Sequence, residues 1–396
     1  MDTPLAAGKR MTEHGIEHAS ANERPANVLL IGGGHAHVAV LADWIENGLP
    51  AERTTLVTPS RHLRYSGMVP GWISGQYDRD TGLVDVAALA RRAGTDLVLD
   101  RCSGIDLAAR CALLAGGGSV SFEIASIDTG GVGQAHRVLD ADDRLIDIRP
   151  IDAFVDKLET RLAVLEGSPE IAVIGGGAGG VELAFAMRNR GAAREGSGPP
   201  NVTLIAGKGG VTPSFSSAVR KKVEQALKWQ GIEVLAADAR FDDGVLYAGE
   251  DRLETPDLIV AAIGSTAPDW PANSGLACDK EGFILVDEHQ QSHSHPNIFA
   301  VGDVAMRTDA DIPHSGVHAV YAGPILADNL RAAAGGRAPR RRYLPRGRNL
   351  YLMSTGDGSA IASYGPFAAE SRLIAKIKHW IDARWISKYA DLAKNM

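Results

Sequence analysis

Cysteine is scarce in this sequence, which has only Cys102, Cys111 and Cys278 among its 396 residues. None of the three forms the C-x-x-C or C-x4-C spacing of a redox-active dithiol. Cys102 and Cys111 flank a predicted hairpin and can approach each other across it, but buried or half-buried thiols are the simpler interpretation. The sequence therefore argues against disulfide exchange chemistry.

Long apolar runs and an excess of positive charge are also missing. No apolar stretch approaches the roughly 18–20 residues that a membrane-spanning helix needs. The net charge of −7 provides no basic field for nucleic acid, and we assign no metal-binding residues. The first 25 residues are polar and lack the apolar core of a signal peptide. We therefore expect a disordered tail over 1–25 and a cytoplasmic protein.

Glycine, by contrast, is abundant at 45 residues and clusters in two turns of the same design. The first turn reads VLLIGGGHAH over 28–37, and the second reads IAVIGGGAGG over 171–180. Each is a short β-branched run that breaks into glycines and continues as a predicted helix. Such strand–glycine–helix units hold the pyrophosphate of a dinucleotide. Two of them predict two dinucleotides, between which electrons pass, on an α/β fold with an internal duplication.

Glycines at the first two positions of each turn let the backbone approach a pyrophosphate more closely than a Cβ permits. These glycines are Gly32, Gly34, Gly175 and Gly177. The third position serves close packing of helix on strand; it is Gly180 in the second turn but His37 in the first. Glu182 follows and is expected in the first turn of its helix, where a carboxylate gains a little from the helix N-terminus.

The acidic residue that commonly binds an adenosine ribose is missing after the second strand of both units. The first unit has Thr58 and Ser60 there, whose hydroxyls can bond a ribose instead. The second unit has Lys208, which suits the 2′-phosphate of NADPH, although a solvated surface lysine is the simpler interpretation. Loss of nicotinamide nucleotide binding is a further alternative.

A later segment supplies further candidate residues. Asp303 ends a hydrophobic strand directly after Gly302, at a position where ligands bind in α/β folds. A helix is predicted from about residue 315, and its positive end can face a reduced, anionic flavin. His314 and His318 can exchange protons with a flavin or an acceptor, although a lone histidine more often packs or caps.

The last predicted helix has apolar residues on one side at 3–4-residue spacing, namely Leu373, Ile377, Trp380, Ile381 and Trp385. Basic residues surround them: Arg372, Lys376, Lys378, Arg384 and Lys388. Such a helix can lie in a membrane surface. It can equally dock on its own protein or on a twin subunit.

Four motifs together resemble the two-dinucleotide-binding flavoproteins of the pyridine nucleotide-disulfide oxidoreductase superfamily. They are GGGHAH at 32–37, YSGMVPG at 65–71, VGD at 301–303 and NLYLMSTGDG at 349–358. Within that superfamily the chain resembles type II NADH dehydrogenases and sulfide:quinone oxidoreductases. It is more similar still to the flavoprotein domain fused to selenide, water dikinase. The resemblance extends over about 27–390.

This resemblance implies two Rossmann-like domains, one for FAD and one for NAD(P), and a C-terminal α+β segment. The FAD-binding domain would comprise 26–148 and 267–335, the NAD(P)-binding domain 149–266, and a strand pair with an amphipathic helix 336–396. Glu182 would lie near the nicotinamide, and the segment 65–71 would run alongside the flavin ring. The expected FAD contacts are Gly32, Gly34, His35, Thr58, Ser60, Thr129, Gly130, Gly302, Asp303, Val317 and His318. The expected nicotinamide nucleotide contacts are Gly175, Gly177, Gly180 and Lys208.

The predicted function is that of a FAD-dependent NAD(P)H dehydrogenase. Hydride would pass from NAD(P)H through flavin to a small acceptor such as a quinone, with Glu182 and His318 as catalytic residues and no protein thiol. One alternative is a flavoprotein acting on a selenium- or sulfur-related acceptor. Another is a flavin-binding regulatory protein with a vestigial nicotinamide site. The last helix would provide peripheral contact with the inner face of a membrane, or a homodimer interface.

Overall fold

The computed structural model describes residues 27–139, 142–191 and 198–394. The tail expected over 1–25 lies outside these residues. The helices, numbered in chain order, are α1 (His35–Asn47), α2 (Val69–Ile73), α3 (Val86–Ala93), α4 (Ala135–Val138), α5 (Ile151–Leu162), α6 (Ala178–Arg188), α7 (Ser217–Trp229), α8 (Trp270–Asn273), α9 (Gly316–Ala334) and α10 (Arg372–Lys394). Among the described residues, none of these helices combines the length and apolarity that crossing a membrane requires.

The strands that precede the second turn are β1 (Asn27–Ile31), β2 (Arg53–Thr58), β3 (His62–Arg64), β4 (Leu83–Asp85), β5 (Asp96–Leu99), β6 (Cys102–Asp106), β7 (Cys111–Leu114), β8 (Ser119–Ser121), β9 (Ile124–Ile127), β10 (Val132–Gly133), β11 (Leu145–Asp147) and β12 (Glu170–Ile174). Those that follow it are β13 (Asn201–Ile205), β14 (Glu233–Leu235), β15 (Ala239–Asp242), β16 (Val245–Ala248), β17 (Asp251–Arg252), β18 (Leu258–Ala261), β19 (Ser265–Thr266), β20 (Ile284–Val286), β21 (Ile298–Ala300), β22 (Ala305–Arg307), β23 (Leu350–Ser354), β24 (Ala360–Tyr364) and β25 (Phe367–Ser371).

The two glycine turns belong to two parallel five-stranded sheets of the same design. The strand order is β21-β9-β1-β2-β5 in the first sheet and β11-β18-β12-β13-β14 in the second. The central strands, β1 and β12, lead directly into the glycine turns. Both are almost entirely buried, which explains their continuous apolar sequences, since parallel sheets of this kind are covered on both faces. The predicted α/β fold with two Rossmann-like units is confirmed.

The edge strands show how the chain passes between the two sheets. β21 pairs with β9 and completes the first sheet, although it follows the whole second unit in sequence. β11 pairs with β18 in the second sheet, although it precedes the border expected at residue 149. We therefore propose that the border between the two units lies before residue 145.

The backbone hydrogen bonds at the two turns are equivalent. In the first unit the Gly32 N–H donates to β2 at 2.8 Å, and the Asp128 N–H donates to the last residue of β1 at 2.8 Å. In the second unit the Gly175 N–H donates to β13 at 2.8 Å, and the Ala262 N–H donates to the last residue of β12 at 2.7 Å. Asp128 in the first unit therefore occupies the position of Ala262 in the second.

Small residues bring α1 and α9 close together beside the first turn. A Cβ added to Gly323 of α9 would lie only 2.7 Å from the Cβ of Ala39 on α1. At the N-terminal ends of the two helices, a Cβ on Gly316 would lie 3.8 Å from the His35 ring. Both helix N-termini therefore face the carboxyl end of the first sheet.

The C-terminal segment differs from expectation in two ways. Instead of a strand pair it forms a three-stranded antiparallel sheet, because β25 pairs with β24 before the chain enters α10. The apolar residues of α10 do not form one covered face either. Trp385 packs against the hydrophobic core beneath the helix, whereas the exposed fractions of Leu373, Ile377, Trp380 and Ile381 are 66%, 42%, 61% and 38%. We call these four residues the exposed row of α10.

Candidate functional site

The first turn is shaped by the close approach of two backbone segments. Gly32 has a φ of 97°, a conformation that other residues rarely adopt. A Cβ on Gly32 would lie 2.3 Å from the carbonyl oxygen of Asp128. Only glycine fits here, so Gly32 allows β1 to turn away beside the end of β9.

His37 lies at the third position of the first turn, where the second turn has Gly180, and its ring forms hydrogen bonds there. Its ring is completely buried, with Nδ1 2.6 Å from the Gly32 carbonyl oxygen and Nε2 2.8 Å from the Ser126 hydroxyl. Because a carbonyl only accepts, Nδ1 carries the proton and Nε2 accepts from the serine. Burial lowers the pKa of His37 to about 4, so the ring is neutral. At the equivalent Gly180, a Cβ would lie 2.0 Å from the carbonyl oxygen of Gly175.

Asp303 and His35 both lie beside the first turn, and the charge of Asp303 acts on the His35 ring. Asp303 lies in a short turn after β21 and forms a 3.0 Å ion pair with Arg149. The buried His35 Nε2 has no hydrogen-bond partner among the described residues, and burial lowers the pKa of the ring to about 4. An unpartnered ring nitrogen beside a carboxylate and two helix N-termini suits a ligand with hydroxyl and phosphate groups. The residues present therefore fit FAD.

The two candidate histidines near α9 have different surroundings. His318 Nδ1 is 2.7 Å from the Tyr343 hydroxyl, while its buried Nε2 lacks a partner among the described residues. Burial lowers the pKa of His318 below its usual range. His314 instead packs on Phe283, with 4.2 Å between ring centroids. Val317 is half-buried in the first turn of α9, and His314 and His318 both line the same cavity as Asp303.

The candidate ribose contacts, Thr58 and Ser60, lie at the end of β2, and the further FAD candidates Thr129 and Gly130 follow β9. A Cβ on Gly33 would be 3.0 Å from the Thr58 hydroxyl, which therefore lines the first turn. The Ser60 hydroxyl already bonds the backbone two residues further on, at 2.8 and 3.1 Å. Thr129 is exposed, and Gly130 has a φ of 70°. Thr58 is thus next to the glycines, although its hydroxyl, like that of Ser60, also bonds the backbone two residues further on, at 3.3 Å.

The second turn leaves more room than the first at one position, Gly177. Gly175 has a φ of 128°, and its Cβ would lie 2.2 Å from the carbonyl oxygen of Ala262. A Cβ on Gly177 would meet nothing within 4 Å, so the space before the N-terminus of α6 is open. A dinucleotide pyrophosphate suits such a space.

Lys208 follows β13 and forms a surface ion pair. Its Nζ lies 3.0 Å from the Asp238 carboxylate, and its backbone N–H donates to the same carboxylate at 3.3 Å. The Lys208 side chain is 84% exposed. Asp238 therefore provides a carboxylate near the end of β13, where the sequence has no acidic residue. Sequence analysis missed it because Asp238 follows β14, the next strand along the chain.

Glu182 lies one turn further along α6 than expected. It is the fifth residue of the helix rather than part of its first turn, so the helix N-terminus does not explain it. Its carboxylate instead accepts a 2.8 Å hydrogen bond from the Ser354 N–H of the C-terminal sheet. Burial raises the pKa of Glu182, and the nearby Lys378 opposes that shift.

A buried charged cluster joins α10 to both units; we call Tyr65, Glu182, Lys378 and Asp382 the α10 cluster. Lys378 Nζ donates to Asp382 at 2.9 Å and to a backbone carbonyl in the segment 65–71 at 3.1 Å. The Tyr65 hydroxyl donates to Asp382 at 3.1 Å. Burial alone would lower the pKa of Lys378, but Glu182 and Asp382 together raise it. The sequence groups Lys378 with the basic residues around the apolar side of the last helix, whereas its side chain is only 13% exposed.

The aromatic rings beside this cluster connect it to the first turn. Trp385 stacks on Tyr65 with 4.9 Å between ring centroids, and His35 lies 5.7 Å from Tyr65 and 5.3 Å from Trp385. Contacts therefore run without a break from the first turn through the segment 65–71 to α10.

The three cysteines are free and do not pair across the hairpin. The register pairs Cys102 with Leu114 and Cys111 with Asp106, so the two thiols lie at opposite ends of β6 and β7. Burial raises the pKa of Cys102 to about 11. A thiol in that state is a poor nucleophile at neutral pH.

Two parallel sheets, each with a glycine turn after its central strand, define the fold class of two-dinucleotide-binding proteins. The chain belongs to the pyridine nucleotide-disulphide oxidoreductase family, whose profile matches residues 26–323. The predicted family is thus confirmed.

Individual relatives are distant. The NADH dehydrogenase-like protein YutJ of Bacillus subtilis is 24% identical over 295 residues, covering 73% of this chain and 78% of YutJ. Demethylphylloquinone reductase NdbB of Synechocystis is 28% identical over 236 residues, covering 54% of this chain and 56% of NdbB. The structure of sulfide:quinone oxidoreductase from Aquifex aeolicus has the same fold, with a TM-score of 0.72, 17% identity, and coverage of 93% of this chain and 92% of that one.

Proposed function

We propose that the protein is a FAD-dependent NAD(P)H dehydrogenase that transfers electrons to a small acceptor, a quinone. The observation that carries this proposal is the set of contacts from His35 at the first glycine turn to Lys378 of α10, whose charge acts on Glu182 behind the second turn. FAD would lie at the first turn and the nicotinamide nucleotide at the second. The names of YutJ and NdbB, an NADH dehydrogenase-like protein and a quinone reductase, agree with this assignment.

The residues of the chain would bind and orient two dinucleotides. Gly32, Gly34 and Asp303 would hold FAD, which when bound accepts a hydride and passes electrons on. The open space before Gly177 would take the pyrophosphate of the nicotinamide nucleotide, with Gly175 and Gly180 shaping the turn.

The α10 cluster would supply charge and protons near the reacting rings. Glu182, whose pKa is raised by burial, can hold a proton at its carboxyl group. Lys378 keeps a positive charge beside it, and Asp382 orients the Tyr65 hydroxyl. We assign His318 a parallel role at the other side of the site, because its Nε2 is buried and unpartnered among the described residues.

The exposed row of α10 suggests how a lipid-soluble acceptor reaches the site. Trp380, with Arg384 5.6 Å above its ring, lies on the same helix as the α10 cluster. Apolar side chains next to basic ones favour peripheral contact with an anionic membrane surface. We propose such contact for α10, with a homodimer interface as the competing outcome.

The test is anaerobic reduction of the FAD-loaded protein by NADH and by NADPH, followed by addition of acceptors. We expect the visible flavin absorbance to bleach with at least one nucleotide and to return when a short-chain quinone is added. Return with selenium or sulfur compounds but not with quinone would contradict the acceptor. Failure of both nucleotides to bleach the flavin would indicate a regulatory flavoprotein instead.

A further inference from the structure

Asp128 occupies the N-terminus of α1, although it belongs to the end of β9. Its Oδ2 atom accepts hydrogen bonds from the Ala36 N–H at 2.9 Å and from the His37 N–H at 3.0 Å. The residue at the N-cap position of α1 is Gly34, which has no side chain to accept them. Asp128 therefore caps α1 from a neighbouring strand, and its side chain is only 4% exposed.

The second unit shows what the first would look like without this carboxylate. A Cβ on Gly34 would lie 2.4 Å from Asp128 Oδ2, whereas a Cβ on the equivalent Gly177 would meet nothing within 4 Å. The residue equivalent to Asp128 is Ala262. In the first unit, then, a carboxylate fills the space before the helix that is open in the second.

An ionised Asp128 carboxylate at this place would repel the negatively charged pyrophosphate of a dinucleotide. Helix N-termini bind anions through their free N–H groups, and Asp128 already uses two of those of α1. Asp303 adds a second negative charge nearby, which Arg149 partly offsets by its ion pair. His35 and His37 provide no positive charge, because burial lowers the pKa of each to about 4.

Asp128 can become neutral at ordinary pH. Burial raises the pKa of Asp128 to about 7. The hydrogen bonds from the two α1 amides lower this pKa, and the negative charge of Asp303 raises it. In the FAD-free protein Asp128 therefore changes its protonation state around neutral pH rather than near pH 4.

We infer that FAD binds at the first turn together with a proton on Asp128, so that a neutral carboxylic acid, rather than a carboxylate, lies between the α1 amides and the pyrophosphate. Asp128 is thus a further cofactor-binding residue, and it couples FAD binding to proton uptake. The inference rests on the proposed FAD site.

The sign of the pH dependence follows from this coupling. Below about pH 7 Asp128 is already protonated, so FAD affinity changes little. Above that pH, each molecule that binds FAD must first take up a proton. The dissociation constant should then increase by up to roughly tenfold per pH unit, until the raised pKa of the complex is reached.

The test is calorimetric titration of the FAD-free protein with FAD at pH 8, in two buffers with different heats of ionisation. We expect close to one proton taken up per FAD bound by the natural protein and close to none by Asp128→Asn and Asp128→Ala. Asn keeps an acceptor for the α1 amides, and Ala reproduces the second unit. Asp106→Asn is the matched control, since Asp106 also accepts a backbone N–H but lies on the β6–β7 hairpin.

The outcomes separate this inference from the proposed function. FAD binding without proton uptake, and with an affinity that stays constant between pH 7 and 9, would overturn the role of Asp128 and leave the FAD site standing. Absence of FAD binding at every pH would instead overturn the proposed function. If a variant does not fold, the pH dependence of FAD binding by the natural protein decides the question alone.

Discussion

Replacing Lys378 by Met tests whether the α10 cluster depends on a buried cation. The substitution keeps an unbranched side chain of similar length but removes the hydrogen bond to Asp382 at 2.9 Å and the charge beside Glu182. Asp382 is left with a side chain 8% exposed and without its ion pair on α10. Removing one partner of a buried pair costs about 3–5 kcal/mol. Because Lys378 is still 13% exposed, we expect a loss near the lower limit, about 3 kcal/mol at pH 8.

The loss should depend on pH in a defined direction. Burial raises the pKa of Glu182, and removal of Lys378 should raise it further. A group whose pKa is raised by folding contributes stability below its unfolded pKa, and that contribution is lost as the pH rises through the folded pKa. The Lys378→Met protein should therefore be closer to the natural protein at pH 5 than at pH 8.

The assay is urea unfolding of the FAD-free proteins at both pH values, with Lys376→Met as control. Lys376 lies on the exposed side of the same helix, where a substitution changes the free energy of unfolding by at most about 0.5 kcal/mol. A double variant, Lys378→Met with Asp382→Leu, should recover part of the loss. If Lys378→Met is as stable as Lys376→Met at pH 8, or loses more stability at pH 5, the reasoning is wrong.

Two further predictions concern nucleotide choice and membrane contact. The substitution Asp238→Ala frees Lys208 from its 3.0 Å ion pair. We therefore expect kcat/KM for NADPH relative to that for NADH to rise by roughly tenfold, which is the size of one charge-assisted contact. A ratio that stays constant would contradict a role for this pair. The substitution Trp380→Ser in the exposed row should reduce co-sedimentation of the protein with anionic vesicles. The control is Trp229→Ser on α7, at a tryptophan that is 87% exposed, and it should leave co-sedimentation unchanged. Equal effects of the two substitutions would argue against docking through α10.

The strand–turn–helix units were predictable because their signals are local. Gly32 and Gly175 require backbone conformations that glycine alone readily adopts, and the β-branched runs before them read as buried strands. Asp303 could be singled out for the same reason, as a polar residue directly after a strand and a glycine. The residues that these features bring together, such as His35 and Arg149, are far apart in sequence.

Other assignments depended on contacts that no local pattern reveals. The sequence places Glu182 either near the nicotinamide or at a helix N-terminus that favours its charge, but its hydrogen-bond partner is the Ser354 N–H in the C-terminal sheet. Lys378 is one of several basic residues around the apolar side of the last helix, and only the docking of α10 on the segment 65–71 buries it. Asp128 carried the same strand-end signal as Asp303, yet its effect on the first turn is visible only beside Gly34.

By itself, the sequence determined the fold class, the duplication and the positions of both glycine turns, because strands, glycine turns and helices follow from the local order of residues. The tertiary structure decided how the two turns differ. The second turn opens on free space before Gly177, whereas the first is filled by Asp128, since the strand β9 lies beside β1 and directs a carboxylate at the N-terminus of α1. Burial and proximity, which set the charge of that carboxylate, exist only in the folded chain.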